Sequence, residues 1–313
     1  MTLEILEPGG LATVQDVAGR RPWRRYGVPH GGAADPMSAR LANRLVGNPD
    51  DAAVLELVLG GTVRVASATI VAVTGGLAAA IDGVPMPPDA ARRLQAGARI
   101  RIEPGSGLRG YLAVAGGIEI EPVLGSRATD LRTGFGGFAG RALQSGDRLA
   151  IGQPRPDALP RRWLGTRADG PLRIVAGPQA ASASSEALTL TAWRVGQAVD
   201  RTGVRLEGRA LEDGGEVPSQ GLLPGAIQLP PDGAPILMLA DCPVTGGYRV
   251  PACVIGADLG RVAQLPPGDQ VALVEVSPLE AREAWLQLES NLAAIEPLDT
   301  TPDDEPGWAG SHG

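Results

Sequence analysis

Short apolar runs that end at pairs of glycines constrain the fold of this chain more than any other feature. Runs of about six residues have the length of β-strands, and glycine supplies the backbone freedom that a tight turn needs. The pattern therefore predicts a mainly β protein with many turns. Three such runs are Val54–Leu59 before Gly60-Gly61, Thr69–Thr74 before Gly75-Gly76, and Gly110–Ala115 before Gly116-Gly117.

A segment rich in proline and arginine, residues 153–171, interrupts this rhythm of strands and suggests a domain boundary. Strands are expected to resume after it, with one at 188–192 and one at 235–240. We expect two β domains, a linker, a helix and a flexible acidic tail, since 313 residues exceed the usual length of one domain. The predicted bounds are 1–155, 156–171 (linker), 172–277, 278–296 (helix) and 297–313 (tail).

Two helix starts are marked by capping residues. Asp35 before Pro36 predicts an N-cap with proline in the first turn. Ser277 and Glu280, with Pro278 between them, form the pattern of a capping box.

Composition excludes several kinds of chemistry. All 28 basic residues are arginine, so a lysine Schiff base, a P-loop lysine and a biotinylated lysine are ruled out for this chain. The net charge of −7 and the scarcity of aromatic residues disfavour nucleic-acid binding. Two cysteines and two histidines make a structural metal site improbable. No signal sequence and no apolar run of about 18 residues is present, so we expect a cytoplasmic protein without a membrane span.

The strongest candidate site follows the predicted strand 235–240. Asp241 ends that strand, and Thr245-Gly246-Gly247-Tyr248 follows shortly after it. A carboxylate, a hydroxyl and a phenol in this arrangement could bind a polar substrate and transfer a proton, and the glycine N–H groups could hold an anion. A tight turn with a purely structural role is the alternative.

Two further polar groups could contribute to a site. Arg127, within Gly125–Asp130, could grip a carboxylate or a carbonyl through its planar guanidinium, although a surface loop with a local ion pair to Asp130 is the simpler interpretation. Gln15 and Asp16 with Arg20 form the other group, for which a satisfied turn is the simpler interpretation. Asp258 and Gln264 could orient neighbouring residues or belong to turns, whereas His30 and Cys242 are not expected to be reactive.

Several of these residues also carry a resemblance to a known family. The segments concerned include Gln15-Asp16, Gly19-Arg20, Leu55-Glu56, Tyr111–Gly117, Gly125–Thr129, Gly225–Gln228, and Asp241 with Thr245–Tyr248. They resemble segments of the biotin-dependent carboxyltransferase family, which includes the C-type 5-oxoprolinase proteins (KipA, or allophanate hydrolase subunit 2). Together the matching segments cover about residues 5–276.

The resemblance implies two cyclophilin-like β-barrel domains with few short helices and a C-terminal helix. It implies a hydrolase that opens 5-oxo-L-proline to L-glutamate, in which ATP is used by a heteromeric complex. The partners would be a B-type 5-oxoprolinase (KipI-like) chain and, in the complete enzyme, an A-type chain. The resemblance leaves two alternatives: carboxyl transfer to urea or a related amide from biotin carried on a separate protein, and a non-catalytic KipA-like regulatory role.

The resemblance also suggests roles for individual residues. Asp241 and Tyr248 would transfer protons, Arg127 and Gln228 would hold the substrate carbonyl or carboxylate, and Thr245 with its glycines would stabilise an oxyanion. This chain differs from the usual family pattern at Cys242-Pro243-Val244, at His30–Asp35 and at Ala128. The remaining predicted residues are Thr129, Gly246 and Gly247 as substrate-binding, and Gln15, Asp16, Asp35 and Asp258 as supporting.

Overall fold

The computed structural model describes residues 1–180, 183–212 and 214–298. Its elements are mainly β-strands with a few short helices, so the predicted mainly β fold is confirmed. The helices are a 3-10 helix at Arg21–Tyr26, α1 at Pro36–Leu45, α2 at Ala183–Leu190, a 3-10 turn at Gly256–Asp258, α3 at Leu259–Ala263 and α4 at Pro278–Ala293.

The N-terminal half packs two antiparallel sheets face to face. One has the order β11-β1-β4-β9-β6-β7 and the other β2-β3-β10-β5-β8. Alternating side chains of both sheets, such as Leu3, Leu55 and Leu112, are buried together in one core. The strands are β1 Thr2–Glu7, β2 Leu11–Gln15, β3 Val54–Val58, β4 Gly61–Val65, β5 Thr69–Gly75, β6 Ala78–Ile81, β7 Val84–Pro85, β8 Ala91–Leu94, β9 Arg99–Glu103, β10 Arg109–Val114 and β11 Arg148–Ala150.

The C-terminal half is built on one sheet of nine strands within the described residues, in the order β20-β14-β15-β18-β17-β19-β13-β21 with β16 beside β19. Its core is separate and includes Trp193, Ile227 and Leu237. The strands are β13 Leu172–Ala176, β14 Trp193–Val199, β15 Gly203–Glu207, β16 Glu216–Gly221, β17 Ala226–Leu229, β18 Ile236–Met238, β19 Thr245–Val254, β20 Gln270–Val271 and β21 Leu273–Glu275.

A third apolar cluster joins the two ends of the chain. Helix α1 covers the outer face of the β2-β3-β10-β5-β8 sheet, and Leu292 of α4 is buried in the same cluster. The segment predicted as a linker contains β12, Arg161–Trp163, which pairs with β22, Ile295–Pro297. The C-terminal helix therefore ends at Ala293, three residues before the predicted end, because the chain leaves the helix to pair with β12. The predicted division into domains stays a prediction.

Both predicted helix starts are confirmed. The Asp35 carboxylate accepts a hydrogen bond from the Ser38 N–H, and the reciprocal bonds of the Ser277–Glu280 capping box are present. The strand predicted at 188–192 is wrong, because Ala183–Leu190 form a helix. Leu188 is fully buried, and the Trp193 indole N–H donates to the Leu188 carbonyl at 2.9 Å, which satisfies a carbonyl near the end of that helix. Of the predicted tail 297–313, residues 299–313 lie outside the described residues.

Candidate functional site

Asp241 lies three residues after strand β18 and binds one arginine with both carboxylate oxygens. Oδ2 accepts from Nε of Arg201 at 2.8 Å and Oδ1 accepts from Nη2 at 2.9 Å. The Arg201 side chain is 5% exposed and that of Asp241 is 19% exposed. Such a bidentate ion pair fixes the orientation of the carboxylate and also balances its charge.

Arg201 continues this contact into the N-terminal half of the chain. Its Nη1 donates to Glu56 at 2.5 Å, and its Nη2 donates to the Gly32 carbonyl at 2.6 Å. The other oxygen of Glu56 accepts from the Tyr111 hydroxyl at 2.8 Å and from the Ala34 N–H at 2.8 Å. One buried hydrogen-bond network therefore connects the two halves. We call Asp241, Arg201, Glu56 and Tyr111 the buried network.

The titration behaviour of these groups follows from burial and neighbouring charge. Burial raises the pKa of Asp241, and the Arg201 guanidinium opposes this shift without cancelling it. Burial would also raise the pKa of Glu56, but Arg201 and Arg109 outweigh it and hold that pKa below its usual value. Burial and the Glu56 charge raise the pKa of the Tyr111 phenol. Glu56 is therefore the firmly ionised member, and Asp241 is the carboxylate more ready to accept a proton.

Arg20 lies beside this network and has an unpaired donor. It is 1% exposed; its Nε donates to the Val123 carbonyl at 3.2 Å and its Nη2 to the Ala128 carbonyl at 2.6 Å. Its Nη1 is buried and has no hydrogen-bond partner in the described part of the chain. Burial lowers the pKa of Arg20, and the charges of Asp16, Asp130 and Asp241 oppose that shift. An unpaired buried guanidinium N–H near Asp241 is suited to a carbonyl or carboxylate oxygen of a ligand.

The loop of residues 132–140 also holds Arg20 in place. Its guanidinium lies 4.5 Å from the centre of the Phe135 ring. Gly136 adopts a φ of +69°, and a Cβ added there would lie 2.2 Å from Nη2 of Arg20. The backbone of the glycine-rich stretch around residues 132–140 therefore lies close to this arginine, where a side chain would not fit.

Backbone bonds bring His30 to the same place. The Arg20 N–H donates to the His30 carbonyl at 2.7 Å, and the Gly31 N–H donates to the Ala240 carbonyl at 3.0 Å. Burial and the charges of Arg24 and Arg21 lower the pKa of His30, which favours the neutral imidazole. Three loops, each carrying one of the polar groups predicted from sequence, thus converge here.

The predicted residues of the N-terminal half are mostly occupied in structural contacts. The Arg127 guanidinium donates to the Ile120 carbonyl at 3.0 Å, and its backbone N–H donates to Asp16 at 2.6 Å. Thr129 donates to the Val14 carbonyl at 2.9 Å, and the Gln15 amide donates to the Thr129 carbonyl at 3.2 Å. No hydrogen bond or ion pair of the described residues joins Arg127 to Asp241. Arg20, on which the Asp241 charge acts, is better placed than Arg127 to bind a ligand beside Asp241.

The predicted glycine loop of the C-terminal half is a strand. Residues Thr245–Tyr248 begin β19, and their backbone pairs with β16. Tyr248 is 36% exposed on this strand. Gln228 is 6% exposed, its amide nitrogen lacks a partner among the described residues, and a Cβ on Gly246 would lie 2.5 Å from it. The glycine therefore makes room for the Gln228 amide.

Two of the three predicted supporting aspartates, Asp35 and Asp258, differ in position. Asp35 caps helix α1, accepts from the Gln264 amide at 2.9 Å, and donates its backbone N–H to the Tyr111 hydroxyl at 2.7 Å. It therefore adjoins the buried network. Asp258 is fully buried and instead accepts from Arg173 at 2.7 Å.

Three members of the buried network were not predicted as site residues: Arg201, Glu56 and Tyr111. Glu56 could have been found, because it interrupts the apolar strand Val54–Val58 and a charge in such a strand must have a partner. Arg201 has no comparable signal in the sequence around it.

Two cavities border the 3-10 helix Arg21–Tyr26. One of about 260 Å³ is largely apolar and includes His30, Leu223 and Leu259. The other, of about 430 Å³, lies between this helix and residues 243–245. No cluster of His, Cys, Asp and Glu able to hold a metal ion occurs among the described residues. Within the same residues, no helix is long and apolar enough to cross a membrane.

A comparison with models of protein families shows to which family this chain belongs. The model for the carboxyltransferase domain, subdomains A and B, matches residues 26–275, which include Glu56, Arg201 and Asp241. The chain belongs to this carboxyltransferase family. The resemblance seen in the sequence is thereby confirmed.

Relatives of two kinds share the family. The C-type 5-oxoprolinase polypeptide of Escherichia coli is 39% identical over 90% of this chain and 94% of its own length. The urea amidolyase of Lachancea kluyveri is 35% identical over 95% of this chain but only 18% of its own length. The structure of the Kluyveromyces lactis urea carboxylase superposes with a TM-score of 0.86 at 29% identity, covering 96% of this chain and 30% of that one. The carboxyltransferase domain thus occurs both as a separate polypeptide and within much longer chains.

Proposed function

We propose that this chain is the C-type component of an ATP-dependent 5-oxoprolinase, a heteromeric hydrolase that opens 5-oxo-L-proline to L-glutamate. The observation that carries the proposal is the near full-length similarity to a C-type 5-oxoprolinase polypeptide. The partners would be a B-type (KipI-like) chain and, in the complete enzyme, an A-type chain. The expected location is the cytoplasm.

The geometry around Asp241 suits hydrolysis of a lactam. Water oxygen bonds to the lactam carbonyl carbon, the ring C–N bond breaks, and the nitrogen takes up a proton. Asp241, with its pKa raised, would accept the proton of the water, and Arg201 would hold its carboxylate in position. The unpaired Nη1 of Arg20 would donate to the carbonyl oxygen as charge develops on it.

The other predicted residues keep their proposed roles in the same reaction. Gln228 has an unpaired amide nitrogen that could donate to the substrate carboxylate. Arg127 and Thr245 with Gly246 and Gly247 remain candidates for substrate binding, and Tyr248 remains a candidate for proton transfer. ATP used by the complex would supply the free energy for lactam opening.

Coupled assays of the assembled complex test this proposal. We expect ATP-dependent release of glutamate from 5-oxo-L-proline when this chain is combined with its B-type and A-type partners. Asp241→Asn should lower kcat by about 100-fold or more, the usual contribution of a general base. Asp51→Asn, at an exposed aspartate, is the matched control and should leave the rate unchanged. Absence of glutamate release by the full set of chains would contradict the proposal.

A second candidate is carboxyl transfer from biotin to urea or a related amide. The similarity to the urea amidolyase and urea carboxylase chains favours it. Since this chain has no lysine, the biotin would have to be carried on another protein. Turnover of carboxybiotin with urea by the purified chain would support this candidate. A complex that forms tightly but shows no turnover, and is indifferent to Asp241→Asn, would instead indicate the regulatory alternative.

A further inference from the structure

The cavity of about 430 Å³ beside the 3-10 helix is lined by three arginines. We call it the arginine cavity; Thr133 and Thr245 contribute hydroxyl groups, and no carboxylate is among its lining residues. The complete lining is Arg24, Arg25, Gly27, Pro29, Arg132, Thr133, Pro243, Val244 and Thr245.

The arginines of this cavity lack the acidic partners that other arginines of the chain have. Arg40, for example, is paired with both Asp50 and Glu289. No carboxylate of the described residues forms a salt bridge with Arg24, Arg25 or Arg132. This local excess of positive charge is notable because the chain as a whole has a net charge of −7.

Arg24 is the most constrained of the three. Its Nη2 donates to the Leu222 carbonyl and the Cys242 thiol lies beside its guanidinium, whereas its Nη1 is buried and has no hydrogen-bond partner among the described residues. A buried donor without a partner is costly unless a ligand or water completes it. The nearby Asp130 carboxylate accepts from the N–H groups of Arg132 and Thr133 at 3.0 and 3.1 Å, so it binds the backbone.

Guanidinium groups gathered in this way repel one another, and a multiply charged anion would relieve that repulsion. The planar donor arrangement of arginine matches the oxygens of a phosphate group, and hydroxyl groups can add further bonds. The 3-10 helix that supplies Arg24 and Arg25 also carries the exposed rings of Trp23 and Tyr26, whose centroids are 5.7 Å apart. We propose that the arginine cavity binds the phosphate group of a small-molecule ligand.

The arginine cavity shares Thr245 with the substrate site proposed above, but phosphate binding can be measured on the purified chain without any partner, so it is tested independently of lactam hydrolysis. Isothermal titration with inorganic phosphate, ATP and acetate at low ionic strength is the direct test. We expect phosphate and ATP to bind at least about tenfold more tightly than acetate, because two negative charges can engage more than one guanidinium. ATP binding more tightly than inorganic phosphate would identify a nucleotide as the source of the phosphate.

A double variant, Arg25→Gln with Arg132→Gln, tests where the ligand binds. Both side chains are exposed, so the fold should tolerate the change, and binding should weaken by about tenfold or more. Arg92→Gln with Arg93→Gln, at two exposed arginines of β8, is the matched control and should bind normally. Equal weakening in both double variants, or equal affinity for acetate and phosphate, would overturn the proposal.

Proton NMR of the two histidines gives a second measurement. Burial is the main cause of the lowered pKa of His30. The positive charges of Arg24 and Arg21 lower that pKa further, and the charge of Asp16 opposes them. A phosphate bound in the arginine cavity should therefore raise the pKa of His30 in the native chain. The rise should be lost in the Arg25→Gln/Arg132→Gln variant. A response confined to His312, or one that persists in this variant, would also overturn the proposal.

Discussion

The arginine of the buried network and the three arginines of the arginine cavity differ in the partners that the fold provides for them. In the buried network, Arg201 donates to Asp241, to Glu56 and to the Gly32 carbonyl. In the arginine cavity, Arg24 keeps a buried N–H without a partner in the described residues, and the cavity contains no carboxylate. A buried guanidinium occurs in both places, so burial does not by itself mark a binding site. Arg201 is neutralised by carboxylates of the protein, whereas the arginine cavity has none in its lining, which is why we propose an anionic ligand there.

The largest expected effect comes from removing the charge that neutralises Arg201. Glu56→Gln would leave the buried guanidinium with only Asp241 as its acidic partner. Breaking a buried ion pair from one side typically costs about 3–5 kcal/mol, so we expect a loss of that size in the free energy of unfolding. Chemical denaturation measures it, with the exposed Glu283→Gln as the control. A loss below about 1 kcal/mol would mean that the network is not neutralised as described.

A smaller effect is expected from the neutral member of the network. Tyr111→Phe removes a hydroxyl that donates to Glu56 and accepts from the Asp35 N–H. An unsatisfied buried N–H costs about 1–3 kcal/mol, and we expect thermal or chemical denaturation to show a loss in that range. Tyr26→Phe, at a tyrosine that is 65% exposed, should be neutral. Equal effects of the two substitutions would show that the Tyr111 hydroxyl contributes nothing.

The smallest effect concerns pH and tests the field of the unpaired arginines. The pKa of His30 in the folded chain is lowered from its ordinary value of 6.5 by burial, Arg24 and Arg21. Between the folded and unfolded pKa values the unfolded chain binds more protons, so stability falls as the pH drops below about 6.5. The slope from this residue cannot exceed about 1.4 kcal/mol per pH unit.

Denaturation curves of the native chain and of His30→Gln at about pH 7 and pH 5 measure this dependence. The native chain should lose more stability than the variant over that range. Identical pH dependence of the two proteins would show that the pKa of His30 is not lowered in the folded chain.

Much of the fold could be predicted because its signals are local. Glycine pairs end the strands β3, β5 and β10 within two residues of the predicted positions, since glycine adopts the positive φ found at these strand ends more readily than other residues do. The caps at Asp35 and Ser277 were also readable, since each satisfies N–H groups three residues away. The predicted strand at 188–192 failed because burial of Leu188 and its contact with Trp193 support a helix there.

The candidate site was only partly predictable. Asp241 is predictable as a polar residue that follows an apolar strand. The loops that carry Asp16, Arg20 and Asp130 are predictable as further polar groups. The sequence does not indicate which arginine pairs with Asp241, because Arg201 is 40 residues away from Asp241 in the chain and 145 residues away from Glu56. Arg127 has the same chemistry as Arg201 and Arg20, but its guanidinium is held by the Ile120 carbonyl.

The sequence by itself determined the mainly β fold, the helix starts, the absence of lysine chemistry and the family, because these depend on local spacing and composition. The tertiary structure alone decided which charges meet. Pairing of β15 with β18 and the packing of the two halves place Arg201 between Asp241 and Glu56. The same packing leaves Arg24, Arg25 and Arg132 around a cavity without a carboxylate. Electrostatic pairing depends on distance in space, and residues far apart in the chain acquire that distance only when the sheets assemble.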